Sequence, residues 1–320
     1  LEAVSTARLI YVDGGRVDEY ATWVRTLDFV AVTDADLDND SYESALKQFE
    51  QNNNRQAISG FSAYISSFPR GIHALKANFY LAQAYFSEGQ KDKSIPNYQY
   101  VISEPRSEFT EQSLARLSQV LLDNNQKEKV IPVLLRLENE SDFPQNKVFA
   151  QSNLMKCYYD KKDYVNSVIY ADKVLNNPKT DDNVRSDAQI IIARSAMQTG
   201  DEAKARAGYA KVLTIAKGEL AAEALYYDAY FKNKDSKFEA SNVTVQKLAK
   251  NYSSYRYYGS KGLILMAKNF YGLKDSFQAT YILENVIKNF TDFSDVVAEA
   301  KNELDKIKAE ESKTNSSITN

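Results

Sequence analysis

Few residues in this sequence could do chemistry on their own. The 320-residue chain holds one histidine, His73, and one cysteine, Cys157. A zinc site, or a general base with its orienting group, needs several such residues together. His73 reads as a surface histidine ahead of a helix. The run Asp34, Asp36, Asp38, Asp40 has the alternation of a calcium loop, but it lacks the central Gly and the closing Glu. Asn39 and Asp40 read better as helix-cap residues before Tyr42. No Gly-rich phosphate loop or G-x-S-x-G elbow is present. Two aromatic clusters could stack a ligand. Packing is the plainer reading of Tyr226, Tyr227, Tyr230 and Phe231, whereas Tyr252, Tyr255, Tyr257 and Tyr258 fall in a connector. We expect no catalytic residue, no metal and no cofactor.

Composition narrows the class further. Net charge is −3, from 40 basic and 43 acidic residues. That excludes the basic excess of a nucleic-acid binder and offers no polybasic membrane patch. Apolar residues are 43% and charged residues 26%, as in a soluble globular chain. Eleven glycines and six prolines are too few for a loop-rich β fold. The longest apolar runs, such as residues 262–267, are far shorter than a membrane span. With one cysteine no intrachain disulfide can form, which suits a reducing or an oxidising compartment.

The elements that must position any site are helix pairs. In 75–106, Leu81, Ala82 and Tyr85 share one helical face. Gly89 breaks the pattern, Ser94, Tyr98 and Val101 recur on a second helix, and Pro105 ends it. With Leu75 as position 1, small residues stand at 8 and 20, larger apolar ones at 11, 24 and 27, and a turn residue at 15. The frame recurs from starts near 1, 38, 75, 111, 148, 186, 220 and 260, a mean step of 37. The seventh unit needs one extra residue before Ala240 takes position 20. Such a period means a solenoid of helix hairpins. Neither helix of a pair can bury its stripe alone, and small residues at 8 and 20 let the two backbones approach. Cys157 falls at position 10, beside Ala84, Ser195 and Ala229 in other units, so it reads as an inert core thiol.

Pro96 and Pro132 share position 22, and we expect them to bend their helices alike. Residues 295–311 read as one capping helix with Val297, Ala300, Leu304 and Ile307 on its apolar stripe, and 312–320 as a disordered tail. The whole of 1–311 is expected to be a single array. Because unit one starts abruptly at Leu1, further repeats and targeting information are expected ahead of it.

At this level the chain resembles the tetratricopeptide repeat family, most clearly in LAQAYFSEGQKDKSIPNYQYVISEP and in AISGFSAYISSFP (57–69). It departs from that pattern in lacking the Trp at position 4 and, in several units, Gly at 8. In style it is similar to tandem-repeat proteins of the bacterial cell envelope, which favours a periplasmic or outer-membrane-associated location. The resemblance implies an all-α, right-handed superhelix whose first helices line a groove that holds a protein or peptide. Positions 2, 5, 9 and 12 would face that groove. They include Lys76, Phe79, Gln83 and Phe86 in the third unit, Gln112 and Gln119 in the fourth, and Lys156 and Tyr159 in the fifth. Arg194 follows in the sixth, and Lys268 and Tyr271 in the eighth. Phe79 and Gln83 stand where the family's carboxylate clamp has Lys and Asn, so no such clamp is expected. We expect a non-enzymatic scaffold. A helical glycan-binding module is the alternative, and it would need long insertions to carry its site.

Overall fold

The computed structural model describes residues 2–28, 30 and 33–318, with side chains as far as Lys313. Among the described residues every regular element is a helix. The chain divides into two compact units, Leu1–Ala150 and Gln151–Asn320.

The first unit holds α1 (Glu2–Asp13), α2 (Val17–Val24), α3 (Asp34–Glu50), α4 (Asn54–Ser67), α5 (Ala74–Ser87), α6 (Lys91–Ser103), α7 (Thr110–Asp123) and α8 (Lys127–Glu140). The boundary between the units falls inside α9 (Pro144–Asp160). The second holds α10 (Tyr164–Asn176), α11 (Asp182–Thr199), α12 (Glu202–Ile215), α13 (Gly218–Lys234), α14 (Phe238–Asn251), α15 (Arg256–Gly272), α16 (Ser276–Asn289) and α17 (Ser294–Ile318). Odd-numbered helices from α1 to α15 are the first members of the expected hairpins, and even-numbered helices the second. Within each unit, successive helices pack on one another.

The turn between the helices of each pair is set by one left-handed residue. Gly15, Asn52, Gly89, Asn125, Lys162, Gly200, Ser236 and Lys274 all have φ between 53° and 76°. Seven of them lie at position 15 of the expected frame. Ser236 does so only if the seventh unit starts at 222 rather than 220, and this corrects the sequence reading. The steps then run from 36 to 38, and the extra residue becomes unnecessary. Ser241, not the exposed Ala240, is the buried residue at position 20. Ala229 moves from position 10 to position 8, where Ala45, Ala82, Ala193 and Ala267 also stand. The shift escaped the sequence because Ser, unlike Gly or Asn, carries no preference for the left-handed region.

Close approach at positions 8 and 20 explains the small residues. Ser167 Oγ donates to the Met155 carbonyl at 3.0 Å and Ser241 Oγ to the Ala229 carbonyl at 2.8 Å, each bond joining position 20 to position 8. Position 23 is equally tight where it holds glycine. A Cβ on Gly208 would lie 2.8 Å from Ala193 Cβ, and one on Gly60 would lie 2.9 Å from Ala45 Cβ. Position 24 is buried throughout, from Val24 and Phe61 to Tyr209, Val245 and Leu283. Pro96 and Pro132 are both the sixth residue of their helices, and each helix continues through its proline.

Several second helices are started by aspartate. Asp163, Asp201 and Asp275 accept from the backbone N–H three residues on, as Asp181 does for α11. Thr33 and Asp36 form a capping box at the head of α3. In the rest of the acidic run, Asp34 pairs with Arg25, Asp40 pairs with Arg8, and Asp38 accepts from the Tyr64 hydroxyl at 2.6 Å. The run is therefore structural, and the capping role falls to Thr33 and Asp36 rather than to Asn39 and Asp40. His73 is half-buried rather than at the surface. Its ring stacks on Tyr42 with centroids 4.1 Å apart, and its Nε2 lies 3.1 Å from Asn39 Oδ1. Cys157 is 3% exposed.

The capping helix α17 buries Val296, Ala300, Leu304 and Ile307, with Val297 only half-buried. It runs on to Ile318, so residues 312–318 are helical where a disordered tail was expected. No Gly or Pro stands in 294–318 to stop it. Leu1, Thr319 and Asn320 lie outside the described residues.

Candidate interaction surface on the first helices

In the 151–320 unit the cations expected to line the groove are each tied to an acid of the same unit. Lys156 Nζ lies 2.6 Å from Asp187 Oδ2, and Arg194 Nη2 lies 2.5 Å from Glu223 Oε2. Lys268 Nζ lies 3.0 Å from Glu299 Oε1. Each cation stands at position 9 of its hairpin. Asp187 and Glu223 stand at position 2 of the next hairpin, and Glu299 belongs to α17. Lys261, also at position 2, sits over the Tyr226 ring at 5.7 Å. These contacts form a ladder joining each first helix to the following one. Sequence inspection found the cations but missed Asp187, Glu223 and Glu299.

Glu223 is the most enclosed rung. Its carboxylate is 3% exposed. It accepts from Arg194 Nε and Nη2, from Tyr209 Oη at 3.2 Å and from Tyr258 Oη at 2.7 Å. The hydrogen bond from Arg194 to Glu223 holds the guanidinium well above its ordinary pKa. Burial pushes the Tyr209 and Tyr258 hydroxyls up, and the neighbouring carboxylate adds to it. The cluster is a fixed network of charge-assisted bonds. Both aromatic clusters of the sequence meet here: Tyr226 and Tyr227 pack beside it, and Tyr258 reaches it from the first turn of α15, so Tyr257 and Tyr258 stand on a helix rather than in a connector. Tyr159 stands against Tyr164, with centroids 5.7 Å apart.

The last hairpin's wall is covered by α17. The Tyr271 hydroxyl donates to Glu310 at 2.8 Å, and the Tyr257 hydroxyl donates to Asp295 at 2.9 Å. Burial, then that bond, pushes Tyr257 up to about 12. Burial would raise Glu299, but Lys268 and Lys261 together hold it below the usual carboxylate range. Lys268 and Tyr271 therefore contact this chain's own helix.

The 1–150 unit differs. Its position-9 residues are Leu9, Leu46, Gln83 and Gln119, so no cation stands at that position, and the one comparable rung is Arg8 of α1 on Asp40 of α3, one position earlier in the hairpin. Phe79 is 6% exposed, its ring covered by Phe109 at 4.6 Å. Gln83 Nε2 is buried and makes no hydrogen bond. Lys76 is exposed and makes no ion pair among the described residues. Phe86 carries the Arg116 guanidinium on its ring face at 4.5 Å and Lys91 Nζ at 5.3 Å. Arg116 also donates to Gln119 Oε1 at 3.3 Å, and no carboxylate pairs with it among the described residues. Sequence inspection did not single it out, because position 6 was not assigned to the groove.

Arg116, Gln112 and Gln119 open onto a concavity of 670 Å³ that also takes in Glu108, Gln145 and the 64% exposed Phe143. Of its other charges, exposed Glu108 has no ion pair among the described residues, and the rest are paired. Arg106 pairs with Asp142 at 2.7 Å. The Glu111 carboxylate accepts from Ser141 Oγ, from the Asp142 and Phe143 N–H groups, and from Asn146 Nδ2 at 2.7 Å. Burial would raise Glu111, but these donors hold it below the ordinary carboxylate range. The carboxylate thereby anchors the start of α9, which forms the far wall. What this surface can do is bind: it presents amide donors and acceptors, one unpaired guanidinium and exposed aromatic area. Among the described residues no group of three or more His, Cys, Asp or Glu could hold a metal ion. No helix among them is long and apolar enough to cross a membrane.

No family model and no curated protein matches the chain. Solved structures do. The C-terminal part of a TPR repeat-containing protein from Cytophaga hutchinsonii aligns with a TM-score of 0.54 at 13% identity, over 81% of this chain and 98% of that one. The apo form of RapI aligns at 0.48 and 13% identity, over 98% of each chain. A tetratricopeptide repeat protein from Parabacteroides merdae aligns at 0.41 and 12% identity, over 82% of this chain and 98% of that one. At such identity the likeness is one of fold. Together with the eight left-handed turns and the repeated small residues, it makes this chain an all-α solenoid of helix hairpins that resembles the tetratricopeptide repeat proteins.

Proposed function

We propose that the chain is a non-enzymatic scaffold that binds a segment of another protein on the first-helix wall of the 1–150 unit. One observation carries the reading. The cations expected to meet a partner in the 151–320 unit are each spent on an acid of the same unit, whereas Arg116 has none. A guanidinium stacked on Phe86 and steadied by Gln119 is held in place before any ligand arrives. The amides of Gln112, Gln119 and Gln145 can both donate to and accept from a peptide backbone, and Phe143 offers area for an apolar side chain. Arginine and aromatics are the usual energetic centres of such surfaces. The resemblance to envelope repeat proteins favours a cell-envelope setting for the partner.

The test is a photo-crosslinking residue placed at Gln112 or Phe143 in the producing cell. The expected result is a crosslink to one discrete protein that disappears with Arg116→Ala and persists with Lys156→Ala. Crosslinks that persist with Arg116→Ala would move the interface elsewhere. The glycan-binding alternative loses ground on the frame itself, since steps of 36 to 38 residues leave no insertion to carry such a site.

A further inference from the structure

A second surface lies on the other side of the hairpins, in the 151–320 unit. Positions 18 and 22 of its second helices hold Val165 and Ile169 on α10, Ala203 and Ala207 on α12, Glu239 and Val243 on α14, and Phe277 and Tyr281 on α16. All eight are exposed. Phe277 is 76% exposed, Val165 71% and Val243 65%. In the 1–150 unit the same positions hold Asp18 and Thr22, Arg55 and Ser59, Asp92 and Pro96, and Glu128 and Pro132. Apart from Glu239 this exposed row is apolar, and it is not needed to bury the hairpins, since the polar version in the other unit folds the same way. Recurrent apolar exposure of this kind marks a contact surface.

The row has a charged border. Positions 26 and 29 lie one and two turns farther along the same helical face. There the second helices carry Lys173, Lys211, Lys247, Lys250 and Lys288, all exposed. Lys211, Lys247, Lys250 and Lys288 make no ion pair among the described residues. Of the acids nearby, Glu284 is held by Lys308 at 3.1 Å, leaving Asp172 and Glu239. The row also has relief. Ala203 and Ala207 form a low saddle between bulkier side chains. Beside it runs a groove of 290 Å³ lined by Val165, Val168, Ile169 and Ala196, where Ser195 Oγ is buried without a hydrogen-bond partner.

We propose that this second-helix face docks an amphipathic helix of a partner protein, with its apolar stripe on the row and acidic residues along the lysine border. The saddle admits the close approach of a helix, one side chain fills the groove, and the lysines fix the orientation. A second copy of this chain would set lysines against lysines, and a flat bilayer would leave the saddle unfilled.

The test uses the full chain and three designed 18-residue helical peptides of equal hydrophobicity. One has a Leu/Phe stripe flanked by Glu, one has the same stripe flanked by Lys, and one is a scrambled control. Binding is read by fluorescence anisotropy. The Glu-flanked peptide is expected to bind at least about tenfold tighter than the Lys-flanked one, a difference of 1.4 kcal/mol. The Ile169→Ser, Phe277→Ser double variant should lose it, and circular dichroism should show the fold intact because both sites are exposed. The variant Lys211→Glu, Lys247→Glu, Lys250→Glu, Lys288→Glu should invert the preference. Equal binding of both flanked peptides would overturn the proposal. So would binding to phosphatidylglycerol vesicles in place of the peptide, or self-association in the ultracentrifuge that the serine variant abolishes.

Discussion

Arg194 and Glu223 stand 29 residues apart, yet they form a two-point ion pair in which the carboxylate is almost completely enclosed. The pair joins the first helix of one hairpin to the first helix of the next. Breaking one side of a buried pair costs more than the pair itself contributes, because the survivor keeps its desolvation cost. Glu223→Leu orphans Arg194 and the hydroxyls of Tyr209 and Tyr258 together. It should lower stability by about 3 kcal/mol. Arg194→Met leaves Glu223 with two tyrosine donors and should cost less. In a double-mutant cycle read by urea denaturation, the two changes should be non-additive by more than about 0.5 kcal/mol. Additive losses would show that the pair does not couple the hairpins.

The backbone contact between positions 8 and 23 gives a second expectation. A Cβ on Gly208 meets Ala193 Cβ at 2.8 Å and its Cα at 2.9 Å, atoms that cannot swing aside. Gly208→Ala should therefore destabilise by about 1–3 kcal/mol despite the better helix propensity of alanine. Ala193→Gly on that background should restore part of the loss. If Gly208→Ala raised the denaturation midpoint, the close approach would be absent in solution.

How much of this was legible beforehand follows from the range of each interaction. Ala82, Ala193, Ser94 and Ser167 betray the hairpin frame because a close crossing demands small side chains wherever it recurs. The seventh unit was misplaced by two residues because its left-handed turn uses Ser236, and because Tyr227 and Tyr230 imitate the spacing of core aromatics. The ladder was not legible at all. Lys156–Asp187, Arg194–Glu223 and Lys268–Glu299 join residues about 30 apart, and a lysine paired across that distance looks the same in sequence as a lysine facing solvent. The same blindness hid Arg116, whose significance lies in the acid it lacks.

Acid should loosen the 1–150 unit through Glu111. Its carboxylate is held below the ordinary range in the folded chain, so it contributes stability at pH values above the unfolded pKa of about 4.3. That contribution is lost as pH falls through the lower folded value. Ser141, Asn146 and two backbone N–H groups then face a protonated acid, and the start of α9 loosens. Glu111→Gln should lower the thermal midpoint at pH 7, and its deficit relative to the parent should shrink by pH 3. A deficit unchanged between those two pH values would mean that the carboxylate's charge plays no part in the cap.

The turn residues offer the sharpest check of the repeat frame, because the sign of the effect depends on one dihedral angle. Lys162 and Lys274 have φ of 62° and 68°, where an L side chain crowds its own carbonyl. Gly200 occupies the same frame position at φ 76°, with nothing within 4 Å of where its Cβ would be. Lys162→Gly and Lys274→Gly relieve that crowding but give the unfolded chain more freedom, so each should be stabilising by no more than about 1 kcal/mol. Gly200→Ala introduces the crowding without any packing clash and should cost about 1 kcal/mol. A control at Gly259, which has no φ in the left-handed region and equally open surroundings, should gain from Gly259→Ala in the first turn of α15. Opposite signs at Gly200 and Gly259 in one set of thermal melts would establish the left-handed turn at position 15. Equal signs would mean that position 15 of the sixth unit is not left-handed in solution.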